Sequence, residues 1–256
     1  MFRPSHRPWF AGLGLAALAA VAALAVASPA VQAQQTINPA QKDAIEQIVR
    51  DYIRAHPEVV VEALDSYQAK KDADERDAQA KSLTSQADQI FRSPTSPVIG
   101  NPKGDVTLVE FFDYNCGYCK RSQPDLEKLL KQDTGLRVVL KEFPILGPAS
   151  VTAARASLAA QKQDKYFDFH TKLMGFKGPL TDEVVYSVAG QVGLDLDKLK
   201  RDMNDPSVVA ELRDNMDLAQ KLGVQGTPAF VINDQIIPGA VGFDALKSQI
   251  DKDRAG

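Results

Sequence analysis

Glu110-Phe111-Phe112-Asp113-Tyr114-Asn115-Cys116-Gly117-Tyr118-Cys119 carries both cysteines of a 256-residue chain. The run Val106 to Phe112 is rich in β-branched and aromatic residues and reads as a buried strand. Asn115 or Cys116 then opens a helix to about Lys131, and Leu136 to Phe143 is the next strand. A strand, a helix and a strand with a crossover of this length form a parallel βαβ unit.

Downstream, the pattern is helical from Ala149 to about Leu222, punctuated by Gly178-Pro179, Gly193 and Asp205-Pro206. That is too much helix for a simple connection, so residues 149–222 read as an all-helical insertion. The α/β pattern resumes as a hairpin, Ala229 to Ile232 and Gln235 to Pro238, and closes with a helix from Phe243 to Lys252. Upstream, Val98-Ile99 reads as a short edge strand and Ser93-Pro94-Thr95-Ser96-Pro97 as a linker, so the globular domain is drawn at 93–256.

Residues 34–92 have a different character. Asn38-Pro39 is a helix start, and Ala44, Ile45, Ile48, Val49, Tyr52 and Ile53 recur at helical spacing. His56-Pro57 interrupts that helix. From Glu58 to about Phe91 there is no glycine or proline; the ends are apolar (Val59, Val60, Val61, Leu64, Tyr67, then Leu83, Ile90, Phe91), whereas Lys70 to Lys81 is charged or small. A hairpin folded back on the same chain is one reading. An oligomerisation stalk is favoured, because short apolar stripes without a core of their own bury against copies of themselves.

The composition, 44% hydrophobic and 25% charged, is that of a globular protein, and a formal charge of −3 gives no basis for nucleic-acid binding. Arg3 and Arg7, the apolar run Ala11 to Ala27 and the ending Val31-Gln32-Ala33 mark residues 1–33 as a signal peptide, with cleavage after Ala33. A retained membrane anchor is the alternative, the run being near the lower length limit for a span. Export places Cys116 and Cys119 in an oxidising compartment, a bacterial periplasm.

Two cysteines this close would close too short a loop to stabilise a fold of this size. A structural zinc needs four ligands, and beyond the leader the chain offers only His56 and His170, far apart. Redox chemistry is the favoured reading, ahead of a half metal site or a structural bridge. A thiol attacks a disulfide only as the thiolate, and a helix N-terminus lowers its pKa. Cys116 is therefore the expected nucleophile and Cys119, one turn further in, the resolving thiol. No cofactor is expected beyond the Cys116–Cys119 disulfide, and no metal. His170, in the aromatic stripe Lys165 to Met174, is expected to pack.

The run Phe111 to Cys119, Pro124 inside the following helix, and Gly226-Thr227-Pro228-Ala229 before a strand resemble the thioredoxin superfamily. The helical insertion, entered through Lys141-Glu142-Phe143-Pro144-Ile145-Leu146-Gly147, is similar to its DsbA-like branch. The N-terminal helices joined to a Cys-Gly-Tyr-Cys site most resemble the ScsC (suppressor of copper sensitivity C) proteins. The resemblance implies a thioredoxin fold with an all-helical insertion and an N-terminal helical oligomerisation region. It implies a cis Pro228 facing Cys116, and substrate contacts from Thr227, Gly117 and Tyr118. It further implies Glu110 as a buried acid that moves the proton of Cys119, with Lys141 as its partner. The implied activity is disulfide isomerisation in exported proteins, by an oligomer, trimer favoured, kept reduced by a membrane thiol reductase of the DsbD or ScsB type. A monomeric disulfide oxidase and a Cu(I)-binding copper-tolerance protein are the alternatives, thiolate sulfur being suited to Cu(I).

Overall fold

A computed structural model describes residues 38–255. The expected signal peptide and cleavage site lie outside the described residues, and among those described no helix is long and apolar enough to cross a membrane. The chain divides into two compact units at Glu62/Ala63.

In the first unit, α1 (Pro39–Ala55) starts at a capping box: the Asn38 side chain accepts from the Gln41 backbone N–H, and the Gln41 side chain accepts from the Asn38 N–H. It ends where Pro57 forbids continuation, and α2 (Glu58–Ser85) follows. No residue of α1 is buried, although Ile45, Ile48, Val49, Tyr52 and Ile53 are large and apolar.

The second unit is a five-stranded sheet covered by helices. Its strands are β1 (Val98–Gly100), β2 (Val106–Phe112), β3 (Leu136–Glu142), β4 (Ala229–Ile232) and β5 (Gln235–Pro238), in the spatial order β1-β3-β2-β4-β5. Only β2 and β3 run parallel, joined through α4 (Gly117–Gln132); every other pairing is antiparallel. The expected strand bounds hold to within one residue. The insertion comprises α5 (Pro148–Ala160), α6 (Tyr166–Gly175), α7 (Asp182–Gln191), α8 (Leu196–Asp202) and α9 (Pro206–Lys221), and α10 (Phe243–Ala255) closes the chain.

The side-chain period of two divides the core. Leu108, Phe112, Val138, Leu140, Phe230 and Ile232 pack with Leu126 and Leu129 of α4, Leu246 and Ile250 of α10, and the insertion. Val109, Phe111, Val139, Ala229 and Val231 pack on the other side with Leu218, Ala219 and Leu222.

That second core corrects the boundary drawn at residue 92. The segment read as one helix to Phe91 breaks at Gln86, and α3 (Ala87–Phe91) follows. Leu83 and Ile90 are buried in the second core, with Phe91 packed against it. These residues are part of the globular unit, because their side chains pack with Val109, Phe111, Val139 and Val231 on the sheet's second face.

The Ser93–Pro97 segment is likewise strapped down. Lys141 Nζ donates to the Gln89 carbonyl at 2.8 Å and to Ser96 Oγ at 2.6 Å, while Ser96 and Thr95 both donate to the Glu211 carboxylate. Leu140 N donates to the Pro97 carbonyl, and Arg137 to that of Phe91. Burial pulls the Lys141 ammonium down to about 8. Hydrogen bonds on the buried cation offset part of that desolvation.

Because Ile90 is wholly buried, Ile90→Ala is expected to lower the urea-unfolding stability of the globular unit by about 2–4 kcal/mol. A loss under about 1 kcal/mol would return residues 87–92 to the connector.

Candidate active site

β2 ends at Phe112, and the chain turns into α4 through Asp113, Tyr114 and Asn115. Asp113 organises the turn. Its Oδ1 accepts from the Asn115 N–H at 2.7 Å and the Ser150 hydroxyl at 2.7 Å, its Oδ2 accepts from the Leu146 N–H at 2.9 Å, and its carbonyl accepts from the Cys116 N–H at 3.0 Å. An Asx turn continued into a helix start is a local preference of Asp. The buried carboxylate also ties the turn to α5 and to the loop after β3.

Cys116 is the N-cap of α4, with extended backbone (φ −74°, ψ 111°), and its Sγ accepts from the Cys119 N–H at 3.3 Å. The first turn of α4 holds no acidic residue, so the positive end of the helix is left to the sulfur. The neighbouring Cys119 thiol is the largest influence holding the Cys116 thiol down, to about 5. Hydrogen bonding from Thr227 and from the Cys119 and Tyr118 backbone adds to it, against burial, which pushes up. Both cysteines are free thiols. Cys119 is driven the other way: burial, then its hydrogen bond to Cys116, then the Glu110 charge push its thiol far above the ordinary range. One thiol ionises readily and its neighbour holds its proton, which is the asymmetry that disulfide exchange requires.

The Thr227–Pro228 peptide bond is cis, and the Cys116 thiol donates to the Thr227 carbonyl at 3.1 Å. Tertiary structure thus brings together residues 111 positions apart. A groove of about 660 Å³ runs from Tyr118 past Gly223 to Ala229, with Ile236, Pro238 and Gln79 on its other walls. Tyr118 is 61% exposed.

Glu110 is 1% exposed, and its even position turns it to the face of the first core, which also holds Cys116 and Cys119. Burial, then the Cys116 charge, push its carboxyl up to about 8. Among the described residues, Oε2 has no hydrogen-bond partner, which favours the protonated form. Lys141 is not its partner. In register Lys141 pairs with Phe111, and Glu110 with Leu140, so the lysine points to the opposite face, into the Ser96–Glu211 strap. Residues adjacent in register share a face, and an offset of one reverses it.

Glu142, one position on, does return to the face of Glu110. It is fully buried, and its Oε1 accepts from Tyr114 at 3.1 Å and Tyr166 at 2.9 Å. His170 Nδ1 lies 3.0 Å from the Tyr114 hydroxyl, and burial pulls this imidazole down to about 3. His170 does pack, as expected, between Tyr166 and Phe112. Sequence reasoning missed the pinning of the active-site turn to α6 through Glu142 and Tyr114. Counting the strand period from Glu110 across to β3 would have found Glu142.

The chain matches the DSBA-like thioredoxin domain family over residues 107–251 and the copper resistance protein ScsC N-terminal domain over residues 41–73. It is 48% identical to a thioredoxin-like oxidoreductase of Silicibacter pomeroyi, with a TM-score of 0.65, covering 66% of this chain and 98% of that one. It is 36% identical to Proteus mirabilis ScsC in a transitional conformation, with a TM-score of 0.64, covering 85% of this chain and 99% of that one. Among curated relatives, disulfide bond formation protein D of Bacillus subtilis is 30% identical over 173 residues, 62% of this chain and 78% of that protein. The chain spans about a quarter of the length of the Na(+)/H(+) antiporters that it also matches.

Thiolate absorbance of the reduced protein is expected to titrate with a midpoint of about 5, and to vanish below pH 8 in Cys116→Ser. Between about 5 and the ordinary value of 9.0 the folded chain has lost a proton that the unfolded chain keeps. This ionisation therefore adds stability as pH rises through that window, and the contribution is lost as pH falls through about 5. Urea unfolding of the reduced protein, minus that of Cys116→Ser, measured at intervals from pH 5 to 8, should rise; a flat difference would place the ionisation elsewhere.

Proposed function

Because the chain belongs to the DSBA-like thioredoxin domain family, a family of thiol-disulfide oxidoreductases, we propose that it acts in the periplasm as a protein disulfide isomerase with Cys116 as nucleophile. The observation that carries the reading is the Cys116 sulfur at the N-cap of α4, 3.3 Å from the Cys119 backbone nitrogen and 3.1 Å from the Thr227 carbonyl oxygen beside the cis Pro228. The thiolate attacks a client disulfide, a Cys116–client bond forms, and the other client sulfur leaves as a thiolate. In isomerisation a different client thiolate then attacks the client sulfur of that mixed disulfide, a new client disulfide forms, and Cys116 leaves as the thiolate. If Cys119 attacks instead, the Cys116–Cys119 disulfide forms and the client leaves reduced, so a membrane thiol reductase is needed to restore the dithiol. Thr227, Gly117 and Tyr118 contact the client in this reading.

Glu110 is proposed to take the Cys119 proton. In the dithiol state the Cys116 charge helps hold Glu110 protonated. Bonding Cys116 to a client removes that charge, so the pKa of the carboxyl falls, and the ionised carboxylate is free to accept the proton when Cys119 must ionise. Glu110→Gln is expected to lengthen the lifetime of the mixed disulfide about tenfold or more, with the titration of Cys116 little changed. An unaltered lifetime would remove Glu110 from the proton path.

The isomerase direction is supported by the N-terminal region. Ile48 is 67% exposed and Tyr52 55% exposed on a helix with no buried residue, an apolar stripe suited to pairing with copies of itself. A trimer would place several thiolates around one client. The mature chain is expected to sediment as a trimer, and Ile48→Asp as a monomer that rescues scrambled ribonuclease about tenfold more slowly while its Cys116 alkylates normally. A monomeric wild-type chain would contradict the stalk.

A second reading, a disulfide donor, is favoured by the lowered Cys116 pKa. Stabilising the thiolate stabilises the reduced form and makes the disulfide more oxidising. A donor would refold reduced ribonuclease yet rescue the scrambled enzyme poorly. The Cu(I)-binding alternative rests on the same two thiolates and requires tight Cu(I) binding without disulfide exchange.

A further inference from the structure

The groove beside Thr227 and Pro228 is lined by no charged side chain, yet a cation stands at its edge. Arg121 Cζ lies 4.1 Å from the centroid of the Tyr118 ring. Its Nη1 is 3.6 Å from where a β-carbon on Gly117 would sit. On α4, Arg121 is four residues after Gly117 and three after Tyr118, the spacings that bring side chains together on one helix face. The guanidinium therefore covers the dipeptide between the two cysteines, and Tyr118 beneath it is itself part of the groove wall.

This cation is uncommitted. Arginine ion pairs among the described residues involve Arg50, Arg54, Arg92, Arg213 and Arg254, not Arg121, and Arg121 is exposed. Its neighbour Lys120 is spent differently: half-buried, it donates to the Phe176 carbonyl at 2.9 Å. Stacking on Tyr118 holds the guanidinium in place while leaving its N–H fork available to a planar anion. A carboxylate is the matching group, since it accepts from arginine in a two-bond geometry.

We propose that Arg121 selects client segments carrying an aspartate or glutamate next to the cysteine presented to Cys116, reading charge at the rim of a groove that is otherwise neutral. This rests on the exchange reading above. The groove holds the client backbone and small apolar side chains without regard to charge, and Arg121 supplies the discrimination. Arg121 is a specificity residue and takes no part in the exchange of sulfur atoms.

Two mixed-sequence peptide disulfides, identical except for Asp or Lys beside the attacked cysteine, test the proposal against the reduced full-length protein. The wild type is expected to attack the Asp peptide about five- to tenfold faster at low salt, with the ratio shrinking at high salt. Arg121→Gln should bring the ratio close to one and Arg121→Glu should invert it. Alkylation of Cys116 by neutral iodoacetamide should change little in either variant, which separates client reading from a change in the thiolate itself. Should Arg121→Glu fail to fold, Arg121→Gln and the salt dependence of the wild type decide the matter. Equal rates for the two peptides in the wild type, or a ratio unmoved by Arg121→Gln, overturn the charge reading and leave disulfide exchange standing. No attack on either peptide overturns both.

Discussion

The hydrogen bond from the Cys119 N–H to the Cys116 sulfur is the contact on which the rest of the site depends. It exists only if Cys116 is held in extended backbone at the point where α4 begins, so that unpaired N–H groups meet the sulfur. β2 brings the chain there, Asp113 turns it, and the absence of an acid in the first turn leaves the helix end uncompensated. The two thiols are driven apart beside it: the hydrogen bond of the Cys119 thiol, with this N–H adding to it, holds the Cys116 thiol down, while burial above all pushes up that of Cys119, which lies wholly buried. A reactive pair is a statement about solvation at a helix terminus, made by two residues three positions apart.

Buried polar groups around this point are divided by the two faces of the sheet. On the face of the cysteines stand Glu110, with one oxygen unpartnered, and Glu142, with two tyrosine donors. On the other stands Lys141, hydrogen-bonded into the strap that holds residues 89–96. Separating Glu110 from Lys141 matters chemically. An ion pair would hold Glu110 as a carboxylate and draw its pKa down. Left without a cation in apolar surroundings, its carboxyl is pushed up by burial first and by the Cys116 charge second.

The N-terminal residues serve two purposes within one helical stretch. Leu83, Ile90 and Phe91 complete the second core of the globular unit, whereas the apolar residues of α1 are left uncovered among the described residues. The charged middle of α2, from Lys70 to Lys81, needs no burial and separates the two uses. Composition alone groups everything before the proline-rich segment together. Packing assigns its last residues to the domain that follows.

The βαβ unit, the strand bounds, the helical insertion and the paired cysteines are legible in the residues alone. Each is encoded locally, by β-branched runs, helical periodicity, proline and glycine breaks, and a Cys-x-x-Cys spacing at a helix start. Family resemblance supplied the cis Pro228, which no local propensity announces. Only tertiary structure decided which face each buried charge occupies, because that depends on the register of β3 against β2, where a shift of one residue reverses every side chain. For the same reason Lys141 was misassigned, Glu142 and Asp113 were overlooked, and the domain boundary fell too late: their partners Tyr166, Ser150 and Gln89 lie 24 to 52 residues away in the chain.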